Sequence, residues 1–285
     1  MSTAEQTDFD WDRAWHTVWK PDPANPWFAY QADVYASWSG RCLGNVPTTA
    51  RQVLKTDAFD EACGFCPLQL AFAPMRPVLM DISSDILHDA RERLGSQGAI
   101  GAVTDVRCLA FRPASLDLVF SPSTLDHFAD ERDIVRSLRE IFCALRPGGR
   151  LLVTLDNPAN PMIRARQMIF RLTGPMGAAI PFPMGKTLSR ARLVSFLERV
   201  GFEVLDSGYL VHTPRVLGLW LAELAARAGC PRVARRLRAA YGRIERIARA
   251  LPTRCFSAHF VAVDCRRADD GSAGRAAPPT DRSRG

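Results

Sequence analysis

Residues 131–158, ERDIVRSLREIFCALRPGGRLLVTLDNP, change their structural period partway along. Ile134, Leu138, Ile141 and Leu145 recur three or four residues apart, which gives a helix one apolar face. Pro147-Gly148-Gly149 then stops it, because proline cannot continue the hydrogen-bond ladder and glycine frees the backbone to turn. The following RLLVTLDNP is a short apolar run ending in polar residues, the pattern of a strand buried on both faces.

Working outward, the same alternation recurs. RQVLKTD (51–57), PVLMDIS (77–83), AIGAVTDV (99–106) and SLDLVFSPS (115–123) read as the first four strands, and RLLVTLDNP as the fifth. EACGFCPLQLAFA (61–73) is helical in length and composition. SSDILHDARERLGS (83–96) is a helix that Ser83 or Ser84 can cap, with Ile86, Ala90 and Leu94 on one face. SRARLVSFLERVGF, EVLDSGYLVH and FSAHFVAVDC add a helix and two strands. Strands alternating with helices predict an α/β fold, a mostly parallel sheet with helices on both faces. In such open sheets, ligands bind beyond the carboxyl ends of the strands. Asp57, Asp81, Asp105, Ser121 with Ser123, and Asp156 with Asn157 stand at those ends.

Around this core, residues 1–50 are expected to be helical and aromatic-rich. Trp11, Trp15 and Trp19 share one helical face, suited to docking on the core or covering the site. KPDPANP (20–26) ends that helix. Two insertions interrupt a domain spanning 51–267: the apolar, Pro- and Gly-punctuated 158–187, and a basic helical pair at 213–251. Residues 268–285 are too poor in apolar side chains to fold.

The bulk numbers narrow the class. The chain has 285 residues, 47% hydrophobic and 24% charged, enough for one large core. It has no apolar run of the roughly 18 residues that a membrane span needs. Its start, MSTAEQTDFDWDRAW, is polar and acidic, unlike a secretory leader. A cytoplasmic protein with reduced cysteines is expected. Of the eight cysteines only Cys63 and Cys66 are closely spaced, so neither a zinc set nor any other metal site is expected. The C-x-x-C could be a reactive thiol pair, a buried structural pair or a contact beside a cofactor, and Asp60 and Glu61 nearby oppose thiolate formation. The net charge of +7 is concentrated in residues 214–250, with nine arginines and two glutamates. No stacking motif or appended RNA-binding module accompanies it, so nucleic acid is not the expected partner.

Asp81 closes the second strand 24 residues after Asp57, placed to accept hydrogen bonds from two ribose hydroxyls. Asp105 could accept from an adenine amino group while the Val106 amide meets a ring nitrogen. VLKTD…EACG, VLMDIS, VTDVRCLAF, LDLVFSPSTLDHF and SLREIFCALRPGGRLLVTLDNP together resemble the class I S-adenosylmethionine-dependent methyltransferases. LRPGGRLLVT is the most specific piece, and the likeness covers 51–158 well. The resemblance implies a Rossmann-like, seven-stranded sheet with a reversed last strand. It implies S-adenosylmethionine as cofactor, held by Asp81 with Ile82, by Asp105 with Val106, and near Ser121 at the methionine end.

The first loop departs from the family pattern. Lys55 stands near the usual acid, and Gly64 alone remains of the glycines. Asp57, Asp60 and Glu61 supply acids that could meet the cofactor's ammonium group. His127, just past the fourth strand, is the candidate base, and His212 a weaker one. The insertions and the aromatic N-terminus suit a medium-sized, partly hydrophobic acceptor able to carry negative charge. A small biosynthetic molecule or a lipid- or glycan-linked chain fits, methylated on oxygen or nitrogen. Weak contact of 213–251 with an anionic membrane surface also fits. A methyltransferase-like domain that lost catalysis and binds a partner is the alternative function. The sequence leaves the oligomeric state open.

Overall fold

The computed structural model describes residues 9–18, 20, 22, 25–44, 52–64, 77–95, 100–174, 182–227 and 229–268. In chain order the elements are α1 (Trp11–Thr17), α2 (Pro26–Leu43), β1 (Val53–Lys55), α3 (Phe59–Ala62), β2 (Val78–Asp81), α4 (Ser84–Leu94), β3 (Ile100–Val103), β4 (Leu116–Pro122), α5 (Glu131–Ala144) and β5 (Leu145–Asp156). α6 (Pro161–Thr173), α7 (Arg190–Val200), β6 (Phe202–Leu210), α8 (Arg215–Arg227), α9 (Pro231–Ala250), α10 (Arg254–Ser257) and β7 (Phe260–Arg267) follow. One seven-stranded sheet runs β3-β2-β1-β4-β5-β7-β6. The first five strands are parallel, and β7 is antiparallel to both β5 and β6. This is the Rossmann-like sheet with a reversed last strand that the alternation and the family resemblance predicted.

The strands divide their side chains between two helical layers. Leu54, Val119, Leu151, Val153, Val261 and Val263 face α5 and α7, meeting Ile134, Leu138, Ile141, Leu193 and Leu197 in one buried cluster. Their neighbours Val53, Leu118, Phe120, Leu152, Phe260 and Ala262 face the opposite way, against Trp27, Tyr30, Val34, Tyr35 and Trp38 of α2 and Tyr241 of α9. Alternation at period two explains the division, and burial of both faces explains the near-continuous apolar runs. The N-terminal segment is thus part of the core layer through α2. On α1, Trp15 docks against α4, its Nε1–H donating to Asp89 Oδ2 at 2.9 Å. Trp19, Cys66 and most of the 61–73 stretch lie outside the described residues, as do 1–8 and 269–285 of the terminal segments.

Local chemistry sets the boundaries. Ser83 caps α4 by accepting from Ile86 N, and Asn160 and Ser189 cap α6 and α7 in the same way. α5 ends at Ala144 and β5 begins at once, the chain bending at Gly148 with φ 75°. The basic stretch forms the expected pair, α8 and α9. α6 is a helix that the Pro/Gly punctuation of its insertion did not announce.

Candidate active site

The carboxyl ends of the central strands open into a cavity of about 330 Å³. Its walls include Trp11, Thr56, Asp57, Phe59, Asp60, Asp81, Ile82, Asp105, Val106, Arg107, Ser123, Asp126, His127, Phe128, Asp156, Arg166, Phe182 and Arg215. Of the residues singled out in the sequence, Trp11, Asp57, Asp60, Asp81, Ile82, Asp105, Val106, Ser123, His127 and Asp156 line it. Glu61, Gly64 and Ser121 are not in its walls.

The physical reason lies under the first loop. Lys55 is wholly buried at the end of β1 and pairs with Glu61 Oε2 at 2.5 Å and with Asp60 Oδ2 at 3.6 Å. A buried ammonium must keep such a partner, so Glu61 turns down to it rather than into the cavity. Burial pushes the Glu61 carboxyl up to about 7, against the pull of Lys55. Ser121 is buried between β1 and β4, accepting from Thr56 Oγ1 at 2.9 Å. Gly64 turns the chain just after α3, at φ 86°. Where the family pattern would have several glycines, Asp57 Oδ1 accepts from Phe59 N (2.8 Å), the first residue of α3, and Asp81 Oδ2 accepts from Ala58 N (3.0 Å). The loop is held by carboxylates. Cys63 is buried there, and burial together with Asp60 and Asp57 pushes its thiol up to about 12. It is a packing residue rather than a nucleophile.

Asp81 is 7% exposed, and its second oxygen accepts from Ser83 N at 2.9 Å. Burial first, then Asp57, pushes its carboxyl up to about 7. Asp105 differs. Burial would raise it, but Arg107 grips both its oxygens through Nε and Nη2, the latter at 2.6 Å, and holds it below the usual carboxylate range. Arg107, also 5.0 Å above the Phe128 ring, is a wall residue that sequence reading missed. Only its i+2 spacing from Asp105 hinted at the pair.

Beyond β4, His127 donates its Nδ1–H to the Pro183 carbonyl at 2.8 Å. Its ring lies edge-on to Trp11 and Phe182, with centroids 5.4 and 6.3 Å away. Gly185 runs so close beneath that a Cβ there would sit 2.2 Å from the Phe128 carbonyl oxygen. Asp126 accepts from Asp156 N at 2.7 Å. Burial pushes Asp126 up to about 6 and Asp156 up to about 7, the neighbouring Asp126 adding to the second shift. Ser123 faces this end with φ 47°, uncommon for a residue with a side chain, and its buried Oγ has no hydrogen-bond partner. His212 lies outside the cavity, paired with Ser257 Oγ at 2.8 Å. Among the described residues no cluster could hold a metal, and no helix is long and apolar enough to cross a membrane.

Comparison with known proteins agrees with this geometry. Residues 59–153 match the family described as a methyltransferase domain. A probable S-adenosylmethionine-dependent methyltransferase of Mycolicibacterium smegmatis is 28% identical over 214 residues, 72% of this chain and 68% of that protein. The ubiquinone/menaquinone biosynthesis C-methyltransferase UbiE of Francisella philomiragia is 31% identical over 109 residues, 36% of this chain and 42% of that protein. Among solved structures, a putative sarcosine dimethylglycine methyltransferase from Galdieria sulphuraria superposes with a TM-score of 0.56 at 14% identity, over 82% of this chain and 85% of that one. At that identity the likeness speaks for the fold alone. Domain match, relatives and sheet order together support a class I S-adenosylmethionine-dependent methyltransferase, with S-adenosylmethionine as its cofactor.

Proposed function

We propose that this methyltransferase acts on an oxygen or nitrogen atom of a small, partly hydrophobic acceptor. The observation that carries the reading is one cavity joining the acids at the ends of β1 and β2 to the aromatic end around His127. The residues present fit the cofactor. Asp81 and Asp126 are buried and Asp57 is half-buried, and loss of solvent raises all three carboxyls from their ordinary values; such a group is stabilised when a cationic ligand enters. Bound there, the cofactor supplies an electrophilic sulfonium methyl.

This chain's residues then divide the work. Asp81 already accepts one backbone N–H on each oxygen and retains acceptor capacity for two ribose hydroxyls. Ile82 and Val106 offer apolar surface to a purine, whose amino group shares Asp105 with Arg107. Asp57 and Asp126 balance the sulfonium and ammonium charges. Behind the wall, Glu61 neutralises Lys55, Ser121 holds Thr56 and Gly64 turns the loop, so all three support the site without touching the ligand. Trp11, Phe59 and Phe182 exclude water and orient the acceptor, since in-line displacement depends mostly on placement. His127 accepts the acceptor's proton at Nε2, or holds that proton's position. A carbon acceptor, as the name of the Francisella relative specifies for that protein, would also have to lose a proton.

The roof suits a lipophilic or lipid- or glycan-linked acceptor. α8 exposes Val216, Leu217, Trp220 and Leu224 next to the cavity residue Arg215, and arginines line α9. We take this surface to rest weakly on anionic lipid.

Calorimetric titration with S-adenosylmethionine and S-adenosylhomocysteine tests the cofactor half of the reading. Micromolar binding that Asp81→Ala weakens by about tenfold or more is expected, the loss of charge-assisted hydrogen bonds. Equal affinity in the folded variant would remove Asp81 from the site.

A further inference from the structure

The cavity has a second pole. Arg166, on α6, and Arg215, the first residue of α8, both line it. They come from separate insertions, 49 positions apart in sequence. Arg107, Arg146, Arg150, Arg192, Arg238 and Arg266 each pair with a carboxylate. Arg166 and Arg215 make no hydrogen bond or ion pair among the described residues. Asp156 and Asp126 share this end, yet neither comes within the 4 Å of an ion pair to either guanidinium. His259, behind Asp156 at 3.6 Å, is buried and held neutral, so it adds no charge.

Two guanidiniums lining one partly enclosed cavity repel each other. Burial first, then Arg166, brings the Arg215 guanidinium down to about 10. That arrangement is unfavourable without a ligand and becomes favourable when an oxyanion enters, because each planar fork can donate two parallel N–H bonds to it. Resting on the methyl-transfer reading above, we infer that Arg166 and Arg215 form an anion subsite that selects acceptors bearing a carboxylate or phosphate. The subsite lies at the Asp126, His127 and Asp156 end. The acids of β1 and β2 mark the other pole, where a cationic cofactor belongs.

The test loads the protein with S-adenosylhomocysteine and titrates it with benzoate, phenyl phosphate and, as the neutral counterpart, benzyl alcohol. Failure to take up S-adenosylhomocysteine would sink the methyl-transfer reading itself, and with it this one. Given uptake, one of the two anions should bind about tenfold or more tighter than benzyl alcohol, and which one does so assigns the oxyanion. Arg166→Gln with Arg215→Gln should abolish that preference while leaving S-adenosylhomocysteine affinity within about twofold. If the glutamine pair does not fold, Arg166→Lys with Arg215→Lys keeps the charge and loses the fork, and should cut the preference severalfold. Equal binding of all three probes, no binding of any, or a preference that survives the substitutions would overturn the inference.

Discussion

Four carboxyls in and under the site show how one residue type acquires different duties. Asp81 and Asp105 each close a strand, yet Asp81 faces the cavity with spare acceptor capacity while Asp105 is gripped by Arg107. Asp57 accepts from the backbone where α3 begins, and Glu61 answers a buried lysine. Strand-end position was legible for the first three, because a polar residue after an apolar run marks where a strand leaves the sheet. The destination of Glu61 was not, since it depends on Lys55 being covered from above. His127 is the residue whose duty is most directly testable. With the acceptor saturating, His127→Ala should lower kcat by about 10²-fold or more, the usual contribution of general acid–base catalysis. S-adenosylhomocysteine affinity should stay near that of the parent protein. Unchanged kcat would reduce the histidine to a packing contact for Trp11 and Phe182.

At the level of elements, the roof depends on how α8 meets α2. Gly218 lies against the fully buried Trp27, and a Cβ there would stand 2.3 Å from the ring. Gly218→Ala should therefore destabilise the protein by about 1–3 kcal/mol in urea unfolding, the range for overpacking. Gly242, on α9, has nothing within 4 Å of an added Cβ. Gly242→Ala should be neutral or stabilise by up to about 1 kcal/mol, because alanine is the better helix former. Matched losses at both positions would mean that α8 does not sit against Trp27. A second tie fixes the same layer: Glu245 of α9 accepts from Tyr30 OH at 2.6 Å and from the His212 amide at 2.7 Å. The two basic helices were readable from their arginine-rich pattern. Their attachment to α2 through one glutamate and one glycine was not, because those partners lie some 190 to 215 positions away.

For the whole molecule, the buried acids set an unusual pH response. Asp81 and Asp156 are each pushed up to about 7 and Asp126 to about 6, in every case chiefly by burial. A carboxyl raised in the fold means that the native chain binds more protons than the unfolded one between about pH 4 and pH 7. Stability then falls as pH rises through that window and levels off above it. Asp12 and Asp105 are held low by their hydrogen bonds, so their contribution is lost only below about pH 4. The ligand-free protein should melt highest near pH 5 and about 5 °C lower at pH 8. A melting temperature that climbs from pH 5 to pH 8 would show these acids already ionised in the fold. The exposed face of α8 and α9 acts at the same scale. Co-sedimentation with anionic vesicles at low salt, lost at high salt, is expected, and no binding at low salt would rule that contact out. By itself, the sequence determined the alternation of strands and helices, the acids at the strand ends and the likeness to one cofactor family. All of these are written in local periodicity and short spacing. Only the tertiary structure decided which acids face the cavity, that carboxylates hold a loop usually built of glycines, and that Arg166 and Arg215 line the same cavity. Each of those depends on which side chains share a buried volume, and burial is decided by packing between distant segments.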